Sequence, residues 1–162
     1  MGNPLEYILL NYGSVEEAQL DGAYVTHNGH CGACSTLQDL SVYMQYTDLT
    51  APVRKCGLEG ILSKQLAMDC LLALGFSNPC AEIWYDNTVN TREDCFGVCM
   101  EEIFEYYNNQ GDCSLNDCLE CDEVRSGPVF KGYSGRTRRN SGLFSAIWRP
   151  PATIYNVTHN YY

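Results

Sequence analysis

Thr91-Arg-Glu-Asp-Cys95-Phe-Gly-Val-Cys99-Met-Glu-Glu-Ile103-Phe-Glu-Tyr-Tyr107 is the stretch on which the fold class turns. Phe96, Cys99, Met100, Ile103, Phe104 and Tyr107 recur at steps of three and four residues, which marks one apolar face of a helix. Cys95 and Cys99 stand four apart and share a face, so one helix can be bridged outward to two other elements. A short helix from Ser114 carries Cys118 and Cys121 three residues apart in the same way. Helices with cysteines on one side describe a stapled helical domain.

Working outward, the chain has 162 residues and ten cysteines: Cys31, Cys34, Cys56, Cys70, Cys80, Cys95, Cys99, Cys113, Cys118 and Cys121. In an oxidising compartment this even set predicts up to five disulfides, with the connectivity left open. Its length and 45% hydrophobic content suffice for one ordinary core, which excludes wholesale disorder. Ser35 and Gln38 fit a capping box ahead of Leu37, Leu40, Tyr43 and Met44 on one helix face. A second helix is predicted from Leu58 to Leu74, burying Ile61, Leu62, Leu66, Cys70 and Ala73, with Gly75 as its C-cap. Ser77-Asn78-Pro79 reads as a break. Short strands are expected at Glu6–Asn11 and Ala23–His27, with a turn at Asn28-Gly29. The fold class expected is mainly α (α+β): a small disulfide-rich domain with three to four helices, short N-terminal strands and a glycine-rich, β-prone C-terminal segment.

Charge divides the chain at Glu123. All twenty acids lie at or before it, beside four bases (Arg54, Lys55, Lys64, Arg92); residues 124–162 hold six bases and no acid. Residues 1–123 are therefore expected to form an acidic cysteine-rich helical domain. Residues 124–162 are expected to be a basic Gly/Ser/Arg-rich extension, packed on that domain or on a neighbouring subunit. An acidic body with a basic tail favours self-association or an anionic extracellular partner such as an acidic glycan. Arg136, Arg138 and Arg139 are the candidate partner- or anion-binding residues, since guanidinium forks grip carboxylates and sulfates bidentately. Three arginines without a recognition motif do not predict nucleic-acid binding. No stretch approaches the length of a membrane span. No secretion signal is visible, so the sequence is expected to be the mature form of a secreted protein. Asn156-Val-Thr158 is a glycosylation sequon that fits the same compartment.

Three constellations bear on chemistry. In His27-Asn-Gly-His30-Cys31-Gly-Ala-Cys34-Ser35 the leading reading is that both cysteines enter disulfides. The first alternative is a zinc module on His27, His30, Cys31 and Cys34, whose spacings suit tetrahedral zinc. The second is a nucleophile, because a thiol at a helix N-terminus is acidified. There Cys-Gly-x-Cys resembles the catalytic loop of papain-like cysteine proteases, which implies Cys34 as nucleophile and His159 as base. The residue after the nucleophile is Ser35, where that family has an aromatic. The acidic run Asp112, Asp117, Glu120, Asp122 and Glu123 offers a carboxylate pair for a hydrolase, but its spacing does not match a calcium loop. No cofactor is expected.

Taken together, His30-Cys-Gly-Ala-Cys-Ser35, Cys121-Asp-Glu with Ser126-Gly-Pro-Val-Phe130, and Gly135-Arg-Thr-Arg-Arg-Asn-Ser-Gly142 resemble a set of uncharacterised cysteine-rich proteins of algae and other microbial eukaryotes. The resemblance implies a secretory origin and no particular activity. The expected function is an extracellular disulfide-stabilised structural or binding protein that self-assembles head to tail into a filament through its tail. A secreted enzyme using Cys34 or a carboxylate pair, and a zinc-binding module, are the alternatives.

Overall fold

A computed structural model describes residues 6–105 and 107–159. Seven α-helices occur among them: α1 Val15–Leu20, α2 Leu37–Gln45, α3 Thr50–Glu59, α4 Lys64–Ala73, α5 Asn78–Glu101, α6 Asp117–Arg125 and α7 Gly127–Ser134. Short 3-10 turns follow at Arg139–Ser141 and Pro151–Thr153. The only β feature among the described residues is an isolated bridge between Asn109 and Leu115.

The expected strands do not form. Residues 6–13 run as irregular chain over the loop before α2, where the Tyr7 hydroxyl accepts from the Leu37 N–H (3.1 Å) and Asn11 Oδ1 from the Cys31 N–H (2.8 Å). Side chains supply the partners that a strand would have supplied. Nor is the C-terminal part a glycine-rich extension without helix. Ser126-Gly127-Pro128 opens α7, because proline in a first turn lacks only an N–H that has no helical partner anyway. The end of the β-prone tail, residues 160–162, lies outside the described residues.

Helix boundaries shift for the same kind of reason. Ser77-Asn78-Pro79 is a start and not a break: Ser77 Oγ accepts from the Cys80 N–H and Pro79 sits in the first turn of a 24-residue α5. The helix predicted over Leu58–Leu74 is two helices. Ser63 caps α4, and Ile61 and Leu62, expected inside, are 58% and 80% exposed in the turn. The cap of α2 is Thr36 with Asp39, one residue along from the expected Ser35 and Gln38.

The core gathers Val42, Tyr43, Leu49, Val53, Met68, Leu71 and Phe76 around two disulfides, Cys34–Cys80 and Cys56–Cys70. Cys56–Cys70 ties α3 to α4, and Cys34–Cys80 ties the entry of α2 to the start of α5. Beside the latter, the buried Asp39 carboxylate accepts from the Ser77 N–H (2.8 Å) and the Ser77 hydroxyl (2.9 Å). One carboxylate thus helps cap α2 and holds the residue that caps α5. Cys95–Cys121 and Cys99–Cys118 clamp α6 along α5. Four disulfides form, against an expected maximum of five, and Cys31 and Cys113, both expected in disulfides, are not paired. Cys31 and Cys113 remain as thiols. Cys31 is held under the N-terminal segment, facing the Leu10 carbonyl, and Cys113 is exposed at positive φ in the tight turn between Gln110 and Ser114.

Candidate functional site

The loop singled out for chemistry, 27–35, is a structural joint. It meets the end of α7: the Ala33 and Cys34 N–H groups donate to the carbonyls of Tyr133 and Ser134 (3.0 and 2.9 Å). Arg136 then turns inward, wholly buried. Its Nε donates to the Cys34 carbonyl (3.0 Å), Nη1 to the Thr26 carbonyl and Ser141 Oγ (2.7 and 3.0 Å), and Nη2 to Thr26 Oγ1 and the Ser35 carbonyl (both 3.1 Å). All five guanidinium donors therefore have acceptors within the chain. Arg136, read as partner-binding, ties the loop to the C-terminal segment instead.

The catalytic and zinc readings of this loop fail on position. The Cys34 sulfur is in a disulfide and fully buried. His27 Nε2 pairs with Ser35 Oγ (2.9 Å), and His30 Nε2 donates to the Gly132 carbonyl (2.9 Å). His159, the base of the protease reading, directs Nε2 to the Ser141 carbonyl (2.6 Å). Among the described residues no three His, Cys, Asp or Glu side chains come together as a metal set. The acidic run disperses too. Asp112, Asp117 and Glu120 are exposed, while Asp122 and Glu123 face different neighbours.

Those last two border a concave feature of the fold. A cleft of about 370 Å³ runs along α5 between α3 on one side and α6, α7 and the C-terminal segment on the other. Its volume is in the range of small-molecule sites, ~300–1,000 Å³. Val53, Leu58, Phe96, Met100, Ile103 and Phe130 are among its apolar lining. Phe96 and Met100 are the face that the sequence marks as core, yet they are 56% and 45% exposed. The face is bare because α6, clamped by its disulfides, packs beside that stripe and leaves it open.

At the Trp84 end the cleft is closed by aromatic rings. The Tyr43 and Trp84 centroids are 6.4 Å apart, those of Trp84 and Phe130 4.7 Å. The Tyr43 hydroxyl and Trp84 Nε1 are buried without a hydrogen-bond partner. Burial holds the Tyr43 pKa far above its ordinary value, a shift that the neighbouring Trp84, Arg136 and Arg138 only partly oppose, so the hydroxyl keeps its proton. Arg138 lies over the Tyr43 ring, guanidinium carbon 5.6 Å from its centroid, and donates Nη1 to the Tyr43 carbonyl (2.7 Å), while its Nη2 is buried without a partner.

Charge is concentrated around the cleft. Its lining takes six of the ten bases (Arg54, Arg92, Lys131, Arg138, Arg139, Arg149) and two of the twenty acids. Glu123 holds Lys131 and Arg139 on Oε1 (2.6 Å each) and Arg149 on Oε2 (3.1 Å). Burial alone would raise the Glu123 pKa, but the Lys131 hydrogen bond and the three cations outweigh it and leave it lowered. Asp122 is pushed up by burial despite hydrogen bonds from Thr91 and Asn87, and it fixes α6 to α5. One basic side chain of the lining, Arg92, makes no hydrogen bond or ion pair among the described residues. No local motif marks this site, because its residues come from Tyr43 to Arg149. The apolar periodicity of α5 and the charge split at Glu123 are the two traces of it that a sequence carries.

Fold and cleft define a class: a disulfide-stapled, mainly helical protein with a preformed apolar cleft and a basic rim. The chain belongs to a family of unknown function (DUF8771), whose model matches residues 64–157, from α4 through α7 and the C-terminal turns. No curated protein and no solved structure matches it. None of the helices is long and apolar enough, among the described residues, to cross a membrane.

Proposed function

We propose that this protein is an extracellular, disulfide-stabilised binding protein whose cleft along α5 takes an apolar guest. The observation that carries this reading is the bare α5 stripe. Phe96 and Met100 have core-type periodicity and about half their surface uncovered, inside a concavity and not on a convex face. Four disulfides suit an oxidising compartment, and two of them, Cys95–Cys121 and Cys99–Cys118, fix α6 along α5 beside the cleft. The exposed sequon at Asn156 fits secretion.

Head-to-tail assembly through the basic tail is the weaker reading, since the tail's bases act at home. Arg136 is buried, Arg138 holds Tyr43, and Arg139 and Arg149 hold Glu123. Catalysis by Cys34 is set aside because its sulfur is bonded to Cys80.

The test is binding of an apolar fluorescent dye to the native protein and to Met100→Glu, which puts a charge on the bare wall without touching the buried core. Saturable 1:1 binding that falls at least tenfold in the variant, at unchanged circular dichroism, supports the cleft. Absent binding, or equal binding by both proteins, overturns it.

A further inference from the structure

We infer that the guest is a long-chain monoanionic amphiphile, a fatty carboxylate in chemical class, seated with its head at Arg138 and its tail along α5; this rests on the cleft being a guest site. Shape is the first argument. The lining follows α5 from Trp84 to Met100, a rise of roughly 24 Å at 1.5 Å per residue. A cleft about 24 Å long and 370 Å³ in volume fits an extended chain better than a compact ring system.

Polarity is the second, and it differs between the two ends. At the far end Phe96 and Met100 expose apolar surface. At the near end Tyr43 O–H and an Arg138 Nη2–H are donors without acceptors, and Trp84 Nε1–H faces the Tyr43 oxygen. Tyr43 is 3% exposed, so water does not serve its hydroxyl from the bulk. Every unmet group at this end is a donor, and what would complete the set is an acceptor with several lone pairs. A carboxylate carries about four such sites on two oxygens.

Charge is the third. Around the cleft bases outnumber acids six to two on a chain of net charge −10. Glu123 offsets part of this through Lys131, Arg139 and Arg149, but the lining stays net positive, and low-dielectric walls with an excess of one sign focus the field and draw in anions. A neutral lipid or sterol would use the apolar wall and ignore this rim. A sulfated glycan would use the rim and leave the wall wet.

The test is Trp fluorescence titration of the intact, oxidised protein with hexadecanoate, hexadecanol, and hexanoate. Hexadecanoate is expected to bind 1:1, at least tenfold tighter than hexadecanol and at least a hundredfold tighter than hexanoate. Arg138→Gln is expected to bring hexadecanoate down to the hexadecanol level without changing hexadecanol binding. Tyr43→Phe removes a single oxygen and keeps the ring. It is expected to weaken hexadecanoate three- to tenfold, which keeps the inference testable should Arg138→Gln misfold. Equal affinity for acid and alcohol, or indifference of hexadecanoate to both variants, overturns the anionic head while leaving an apolar cleft. Failure of both long chains, with the dye also unbound, sinks the cleft reading itself. Binding to phosphatidylglycerol vesicles without uptake of monomeric hexadecanoate overturns the soluble guest in favour of a membrane surface. So does protein dimerisation that hides the cleft, in favour of a second copy.

Discussion

Gly32 and Gly135 meet backbone to backbone: a Cβ on Gly135 would fall 2.4 Å from the Gly32 nitrogen, and one on Gly32 2.6 Å from the Gly135 nitrogen. Gly135 also sits at φ +70°, a region that L side chains rarely adopt. The contact brings the loop before α2 against the end of α7 and seats Arg136 beneath it. Backbone atoms cannot give way as a side chain tip can. Gly32→Ala and Gly135→Ala are each expected to cost about 3 kcal/mol or more, in the range of overpacking plus strain. Gly97→Ala, in the interior of α5 with nothing near its Cβ, is expected to stabilise by roughly 0.5–1 kcal/mol. Urea unfolding of the three variants checks both signs. A tolerated alanine at 135 would mean that this joint is looser than described.

The cysteines give a prediction that needs no mutation. Reduction of the native protein under denaturing conditions is expected to add about 8 Da, two hydrogens for each of four bridges, and not the 10 Da of five. Without reductant, iodoacetamide is expected to modify Cys113 quickly and the half-buried Cys31 slowly. Converting Cys99 and Cys118 to alanine, which opens the clamp beside the cleft, is expected to cost about 2–4 kcal/mol. Intact mass and peptide mapping decide the first two points, and thermal unfolding the third.

How far this was legible in the sequence can be followed along α5. Phe96, Cys99 and Met100 read correctly as one helix face, because helical periodicity is local, but α5 ends at Glu101, short of Ile103, Phe104 and Tyr107, and Cys95 and Cys99 both bridge to α6 and not to two elements. The start of the helix is misread, since Ser77-Asn78-Pro79 has the composition of a break and equally of an N-terminus. Only the chain's later course selects between them. Gly127-Pro128 fails in the same way: α7 has poor intrinsic propensity, and tertiary contact such as Phe130 on Trp84 stabilises it. What covers a helix face is not local at all. The uncovered state of Phe96 and Met100, and the gathering of six bases at one cleft, depend on where α3, α6 and the C-terminal segment dock. The two motifs His30–Ser35 and Gly135–Gly142 are visible as unusual sequence, but not as two halves of one joint.

Arg136 supplies a test of that joint. Removing its guanidinium strands the carbonyls of Thr26, Cys34 and Ser35, each costing about 1–3 kcal/mol when buried without a donor. Arg136→Ala is expected to be destabilised by at least about 3 kcal/mol. Arg136→Lys is expected to recover little, because an ammonium cannot match the planar fork that spans these acceptors. The guanidinium chloride midpoint measures both. A lysine variant as stable as wild type would show that charge, and not geometry, matters there.

Acid should unfold the protein in two stages, and the sign of each follows from its group. Burial lowers the His27 pKa below 6.5, and the nearby charges of Arg136 and His30 lower it further, against a hydrogen bond to the Asn28 carbonyl. Its neutral ring accepts from the buried Ser35 hydroxyl, so the associated stability is complete above about pH 6.5 and declines as pH falls toward the folded value. Glu123 has its pKa lowered from 4.5 by Lys131, Arg149 and Arg139 acting against burial. Its contribution is complete above about pH 4.5 and is lost as pH falls through the folded pKa. Asp122, raised by burial, works the other way: protonation relieves its buried charge and softens the second stage. His27→Gln is expected to flatten stability between pH 6.5 and 5 while leaving the lower stage in place. Glu123→Gln is expected to lower stability at neutral pH, to flatten the profile below 4.5, and to free Arg139 and Arg149 from the segment they anchor. Stability from urea melts at half-unit steps between pH 3.5 and 8 separates the two. A wild-type profile flat from 8 to 5 would remove His27 from the account, and a Glu123→Gln profile parallel to wild type below 4.5 would remove the three-cation anchor.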